Sequence, residues 1–156
     1  MDTISIALRL KRGFVGESWS VPFNEGKLYA IASLIPRISS PARCLNIGCG
    51  EGIIAEVIKR KGYLYYGLDL SKGILRRARC SLGNNNIFVQ VDANYLPFKR
   101  CCFDLVIALE IIEHVDNPCK LLKEADSVLI NGGYLIISTP NKISLEGIKG
   151  KIKSLS

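Results

Sequence analysis

The feature that most constrains this chain is an alternation of short apolar strands and helical segments that opens on Leu45-Asn46-Ile47-Gly48-Cys49-Gly50-Glu51-Gly52. Arg43 to Ile47 reads as a short strand that breaks into a glycine-rich turn over Gly48 to Gly52. Ile53 to Arg60 is then helical, with Ile54, Val57 and Ile58 on one face, and Gly62 ends it. Tyr63 to Leu70 reads as a strand, and Ser71 is the N-cap of a helix through about Leu82. Gly83 and Asn84 to Asn86 form a turn before a strand from Ile87 to Val91, which ends at Asp92. Phe103 to Leu109 is another strand, and Pro118 opens a helix through Leu129. Gly132 and Gly133 read as a turn, followed by a fifth strand from Tyr134 to Ser138. Continuous apolar strands are what a parallel sheet covered on both faces requires. The pattern predicts an α/β domain with a doubly wound, Rossmann-like parallel sheet, whose ligands bind beyond the carboxyl ends of the strands.

The flanks are less regular. In the N-terminal segment, residues 1–42, Ile4, Ile6, Leu8 and Leu10 alternate with smaller or polar residues, which is strand-like; a short helix is the other reading. Gly13, Gly16 and Pro22 break regularity, and Glu25 to Ile35 is an amphipathic helix that stops before Pro36. The core is expected over 43–141. The basic tail, 142–156, has Ile148, Ile152 and Leu155 spaced to line one side of a helix.

Length and composition narrow the class. The 156 residues suit one domain, and 48% hydrophobic with 22% charged residues supplies a single packed core. No apolar run has membrane-spanning length and the N-terminus lacks a secretory pattern, so a cytoplasmic protein is expected. None of the six cysteines forms a Cys-x-x-Cys pair and His114 is the one histidine, so no metal site is expected. Buried free thiols are expected instead, with disulfides the alternative in a hyperthermophile. The net charge of +7 gathers in Lys59-Arg60-Lys61, in Lys72, Arg76, Arg77 and Arg79, and in Lys142, Lys149, Lys151 and Lys153. Such clusters suit an anionic partner such as RNA or a membrane surface, or are solvated helix faces; no aromatic residues interleave with them as stacking platforms.

Four places carry chemistry. The Gly48 to Gly52 turn lets a ligand approach the backbone, and the helix start behind it offers free N–H donors. Its spacing fits neither the dinucleotide fingerprint nor a Walker P-loop. Asp69, at the end of the second strand of this core, can accept two hydrogen bonds from a ribose diol, or help cap the next helix. Asp92-Ala93, at the end of the third, can accept from an exocyclic adenine amine, or be a turn. The run Glu110-Ile111-Ile112-Glu113-His114-Val115 follows the fourth strand and borders the ligand crevice.

Taken in order, these pieces resemble the class I S-adenosylmethionine-dependent methyltransferases, especially the branch related to ubiquinone and menaquinone biosynthesis. The resemblance rests on strand-Gly-Cys-Gly-x-Gly, Gly-Leu-Asp-Leu-Ser, Asp-Ala-x-x-Leu-Pro-Phe, Phe-Asp-Leu-Val, Glu-His-Val and Gly-Gly-Tyr-Leu-Ile-Ile-Ser-Thr-Pro-Asn, over about two-thirds of the chain. It implies S-adenosylmethionine as cofactor. Gly48, Cys49 and Gly50 would pass their backbone close to its methionine part, Asp69 would bind the ribose hydroxyls, and Asp92 with the Ala93 backbone would hold the adenine. Leu70 would pack on the adenine face, and Leu109 and Glu110 would lie beside the sulfonium.

Two departures from the family pattern stand out. Asn46 stands where the family usually has Asp or Glu, so a negative charge near the cofactor's ammonium is missing, at a cost to binding on the order of 1 kcal/mol. The family core normally has seven strands, whereas this chain shows five in the family's order and then ends. The exposed edge is expected to be covered by Ile4 to Leu10 or by a partner, including a second copy of the chain, unless the chain is a truncation. For chemistry, methyl transfer draws mainly on positioning two bound reactants. A general base helps where the acceptor must lose a proton, and His114 and Glu110 are the candidates, with Glu110 bordering the cofactor and His114 the acceptor. The resemblance implies a methyltransferase for a small-molecule acceptor. An enzyme acting on RNA or protein and a cofactor-binding module or partner subunit without activity are the alternatives.

Overall fold

A computed structural model of the chain describes residues 3–10, 18–22, 27–38, 40–83 and 86–139. The elements in order are β1 (Thr3–Leu10), β2 (Ser18–Pro22), α1 (Lys27–Leu34), β3 (Ala42–Ile47), α2 (Ala55–Arg60), β4 (Tyr63–Asp69), α3 (Lys72–Leu82), β5 (Ile87–Gln90), β6 (Phe103–Leu109), α4 (Pro118–Val128) and β7 (Leu129–Thr139). They build one seven-stranded sheet of order β2-β1-β7-β6-β3-β4-β5. Strands β3 to β7 are parallel throughout, as the apolar runs predict. The chain runs outward from β3 to β4 and β5, then returns to β6 on the other side of β3. The switch point therefore lies between the carboxyl ends of β3 and β6, where doubly wound sheets open a crevice.

Alternation along the strands divides the core. Cys44, Tyr65, Leu105, Ile107 and Ile136 face the side covered by α1, α2 and α3, meeting Ile31, Ile35, Ala55, Ile58, Leu75 and Ala78. Leu45, Ile47, Leu68, Val106, Ala108, Leu135 and Ile137 face α4, meeting Leu121, Leu122, Ala125 and Val128. Strands with both faces buried cannot be polar on either, which explains why these segments read as unbroken apolar runs. Below α4, Phe103 (2% exposed) packs edge-on against Tyr66 at 5.3 Å and Phe98 at 5.0 Å between ring centroids.

Local chemistry sets the helix ends. The Ser71 hydroxyl accepts from the Ile74 N–H at 3.4 Å, and α3 spans the residues expected of it. Asn117 caps α4 by accepting from the Lys120 N–H at 3.0 Å, one residue before Pro118. The Lys61 ammonium donates to the Ile35 carbonyl at 2.9 Å, just beyond the end of α1.

Two expectations are corrected. Gly132 and Gly133 do not form a turn before a new strand; they lie inside β7, which begins at Leu129 as α4 ends. Leu129 pairs with Phe103 and Tyr134 with Leu105, so β7 carries extra residues there as a bulge. A Cβ on Gly133 would lie 2.8 Å from the Leu129 Cγ and 3.0 Å from the Asp104 carbonyl oxygen, so glycine is what lets the bulge fold inward. The start of α2 falls at Ala55, because a tight turn ends with the Ala55 N–H on the Gly52 carbonyl at 2.9 Å.

The N-terminal segment does cover the sheet edge. Strand β1 pairs antiparallel with β7, from Ser5 opposite Thr139 to Leu10 opposite Tyr134, and β2 pairs antiparallel with β1. The five parallel strands thus gain two antiparallel ones on the β7 side. The tail 142–156, with its expected helix and its lysines, lies outside the described residues.

Phe103→Ala is expected to destabilise the fold by about 3–5 kcal/mol, because it opens a cavity between Tyr66 and Phe98. Urea unfolding followed by tryptophan-independent circular dichroism measures this; a loss below about 1 kcal/mol would show that this ring cluster is not a structural centre.

Candidate functional site

The β3–α2 turn is held open by backbone geometry. Gly48 has φ +68°, and a Cβ there would collide with the Ile111 side chain; Gly50 has φ +55° with open space where a Cβ would stand. The turn is tied down from β4. The Cys49 N–H donates to the Leu68 carbonyl at 2.7 Å, and the Gly50 N–H donates to Asp69 Oδ2 at 3.0 Å. The other oxygen, Asp69 Oδ1, accepts from the Ser71 N–H at 2.9 Å. Asp69 therefore joins the glycine turn to the start of α3, and each of its oxygens keeps a lone pair for a further donor. Arg77 reaches Glu51 at 2.6 Å on the outer side of the turn, an exposed pair of small energetic weight.

Beyond the ends of β3, β4 and β5 lies a cavity of about 230 Å³. Gly48, Asp69, Leu70, Asp92, Ala93 and His114, all singled out in the sequence, line it together. Asp92 forms an Asx turn in which Oδ1 accepts from the Asn94 N–H at 2.8 Å, which leaves its second oxygen available. Leu70 is 69% exposed, an apolar plate at the rim. His114 is exposed and sits in a turn closed by its own N–H on the Ile111 carbonyl at 2.9 Å. The sequence reading did not single out Ile47, Leu68, Val91, Asn94 and Asp116 as wall residues, and it named Ile111 and Val115 only as part of the run bordering the crevice. Strand alternation could have found Ile47 and Leu68; the loop after β6 carries no periodic signal that marks Ile111, Val115 and Asp116.

Five expected site residues are not on that wall. Asn46 lies one position before Ile47 and so faces the opposite side of the sheet. It is 3% exposed, its Nδ2 donates to the Tyr65 hydroxyl at 3.0 Å, and its Oδ1 has no partner. Cys49 is buried; burial first, and then the Asp69 charge, pushes its thiol up to about 12, so it stays a neutral thiol at physiological pH. Gly50 has open space where a Cβ would stand, and Leu109 is half-buried at the end of β6. Glu110 follows with φ +50°, an uncommon conformation for a non-glycine residue, and its N–H donates to the Ser138 carbonyl at 2.9 Å. Burial also raises the Tyr65 and Cys44 groups well above their ordinary values, so the polar cluster under the turn carries no charge at neutral pH.

A cavity of this size falls below the roughly 300–1,000 Å³ of pockets for whole drug-sized ligands, so it suits part of a ligand. Apolar side walls with a carboxylate at each of two strand ends match a nucleoside: a flat base, an amine and a diol. Part of the first two basic clusters is paired within the domain. Lys59 and Arg60 each pair with Glu56 at 3.6 Å, and Arg79 donates to the Phe88 carbonyl at 2.6 Å. Those side chains are satisfied locally. No helix among the described residues is long and apolar enough to cross a membrane.

Comparison with known proteins agrees with the geometry. A family profile described as a methyltransferase domain matches residues 45–137. A ubiquinone biosynthesis O-methyltransferase of Xanthomonas campestris is 33% identical over 113 residues, which is 68% of this chain and 46% of that protein. Its counterpart in Acinetobacter baylyi is 27% identical over 106 residues, 64% of this chain and 44% of that one. The crystal structure of an S-adenosylmethionine-dependent methyltransferase from Mesorhizobium loti superposes with a TM-score of 0.66 at 26% identity, covering 74% of this chain and 53% of that one. The chain spans about half the length of the curated relatives it matches.

Gly48→Ala is expected to push Ile111 out of place and to strain the turn, and so to weaken any ligand held in the cavity about tenfold or more. Adding Ile111→Ala is expected to restore part of that loss, because it removes the colliding side chain. Ligand titration of the single and double variants measures the coupling; equal affinities in the two would show that Ile111 does not limit the turn.

Proposed function

The chain belongs to the class I S-adenosylmethionine-dependent methyltransferase family, and we propose that it transfers the methyl group of this cofactor to a small-molecule acceptor. The observation that carries the reading is Asp69, whose two oxygens are fixed by backbone amides of the glycine turn and of the α3 cap at the mouth of the cavity. That arrangement presents a preorganised carboxylate to a ribose diol. The same cavity offers Asp92 and the Ala93 backbone to a base and Leu70 to its face. The residues present fit the adenosine half of S-adenosylmethionine, and the open space beside Gly50 leaves room for the methionine half. Bound there, the cofactor would supply an electrophilic methyl group on a cationic sulfur.

The chain's own residues would then divide the work. Asp69 holds the ribose, Asp92 and Ala93 the adenine, and Leu70 shields the ring. Gly48, Cys49 and Gly50 run beside the methionine part, with a neutral Cys49 thiol that adds no charge. Leu109 and Glu110, at the end of β6, border the sulfonium. His114, on the cavity wall, borders the acceptor and takes its proton where the acceptor carries one. Asn46 lies under the turn on the face opposite Ile47, and its unpartnered carbonyl oxygen is the group that would meet a methionine part passing over the glycines. A small acceptor is supported by the relatives' naming as ubiquinone biosynthesis O-methyltransferases, and the pairing of Lys59 and Arg60 of α2 with Glu56 favours it over RNA. The setting proposed for this reaction is the cytoplasm.

Calorimetric titration tests the reading. S-adenosylmethionine and S-adenosylhomocysteine are expected to bind saturably and NAD not at all. Asp69→Ala is expected to weaken binding about 10- to 100-fold, the loss of hydrogen bonds to a charged group. Failure of the folded chain to bind either sulfur ligand would overturn it. Binding with no turnover for any acceptor would instead leave a cofactor-binding module.

Two variants probe roles within the site. His114→Ala is expected to lower turnover about 10²- to 10⁴-fold with little change in cofactor affinity; unchanged turnover removes His114 from the mechanism. Asn46→Asp is expected to tighten S-adenosylmethionine binding about fivefold by restoring a charge near the ammonium, read by the same titration. It is also expected to lower the melting temperature, since residue 46 is 3% exposed and a carboxylate there is costly to bury.

A further inference from the structure

Strand β5 ends the sheet on the side away from the hairpin, so one of its edges has no neighbouring strand. The Val91 N–H donates to the Asp69 carbonyl at 3.1 Å. In a parallel ladder the groups that face β4 then belong to Ile87, Val89 and Val91, and the backbone groups of Phe88 and Gln90 face outward. An outward row of that kind is a template for another strand. The sequence suits it to that use: Ile87-Phe88-Val89-Gln90-Val91 has no charge and no proline, and is rich in β-branched and aromatic residues. Apolar surface continues from the edge on the α4 face, where Ile87 is 47% and Leu64 54% exposed.

The outward carbonyl of Phe88 is already engaged. The Arg79 guanidinium, from the last turn of α3, donates to it at 2.6 Å. A charged donor holds that oxygen more strongly than an incoming amide would. The guanidinium also stands where the amide of a further strand would lie, and a strand placed about 4.8 Å from β5 would have to bury its charge.

We propose that the β5 edge is a self-complementary docking surface for a second copy of this chain, and that Arg79 keeps it shut. The pairing it blocks is antiparallel, β5 against β5 about a two-fold axis. Phe88 of each copy then stands opposite Gln90 of the other, and each pair exchanges the donors and acceptors that face outward. Removal of the guanidinium frees the Phe88 carbonyl and takes away the charge, and two apolar strands continue one sheet through both copies. The closed edge also keeps Val91 and Asp92, the cavity-wall residues that follow β5, clear of a neighbouring chain.

Sedimentation velocity of the full chain tests this, on variants whose circular dichroism matches the wild type. Gln90→Pro alone is expected to leave the oligomeric state of the wild-type chain unchanged, because the edge is closed. Arg79→Ala is expected to form a reversible, concentration-dependent species of twice the mass. Arg79→Met, which keeps the aliphatic stem and removes the donor, is expected to do the same. Gln90→Pro added to either variant is expected to restore the wild-type state, since proline removes an outward N–H and leaves the bonds to β4 in place. Arg79 variants that sediment as the wild type overturn the proposal. Association that persists after Gln90→Pro overturns it too, because it does not run through this edge. A wild-type assembly that Gln90→Pro breaks apart overturns the role of Arg79, because the edge is then open with the guanidinium in place.

Discussion

The carboxylate of Asp69 is the interaction on which the site depends. It ends β4, and it receives one N–H from the turn after β3 and one from the cap of α3. Two loops that approach from different strands are thereby fixed to each other through a single side chain. Without it, the Gly50 amide would need another acceptor, and the glycine turn, with few side chains of its own to pack, would have little to hold it. The neighbouring bond from the Cys49 N–H to the Leu68 carbonyl continues the same stitching with backbone alone.

That local device works because the sheet beneath it is rigid. Both faces of β3 and β6 are buried, and their carboxyl ends stop at the same level, with Ile47 beside Ala108. The crevice arises from topology: the chain leaves β3 in one direction and returns on the other, so no crossover covers the gap. The β1–β2 hairpin extends the sheet at the far side, away from the cavity. Its contribution is to the β7 edge, which would otherwise offer open backbone groups to another chain.

Much of this was legible in the residues. Strand β6 and helix α3 begin and end where apolar continuity, the Ser71 cap and Gly83 place them. Six of the expected site residues share one cavity because each follows directly on a strand end or its loop, and parallel strands bring those ends together. What the residues did not disclose has a physical cause in each case. The Gly132-Gly133 pair looks the same whether it turns the chain or admits a bulge; contact with Leu129 and Asp104 decides, and that contact is tertiary. Asn46 belongs to the motif by spacing, yet its side is set by strand alternation counted from Ile47. The left-handed backbone of Glu110 is imposed by pairing with Ser138, far away in the chain. Asn94 gave no signal, since a turn asparagine is ordinary until its enclosure is known.

The division of the cavity wall bears on how such a domain separates two recognition problems. The residues that match adenosine come from three consecutive strand ends, between Ile47 and Asn94, and form one local unit. They can be conserved in arrangement whatever is methylated, because the cofactor's nucleoside does not change. His114, Val115 and Asp116 come instead from the loop after β6, on the opposite side of the switch point. That loop is reached through the left-handed Glu110, closed by the His114 N–H on the Ile111 carbonyl, and anchored by Ile111 beside Gly48 and by the buried Ile112. Its exposed residues, Glu113, His114 and Asp116, can vary without disturbing Asp69 or the glycine turn. Under the proposed function, acceptor choice would fall to the β6 side and to whatever packs beside it, and cofactor choice to the β3–β5 side.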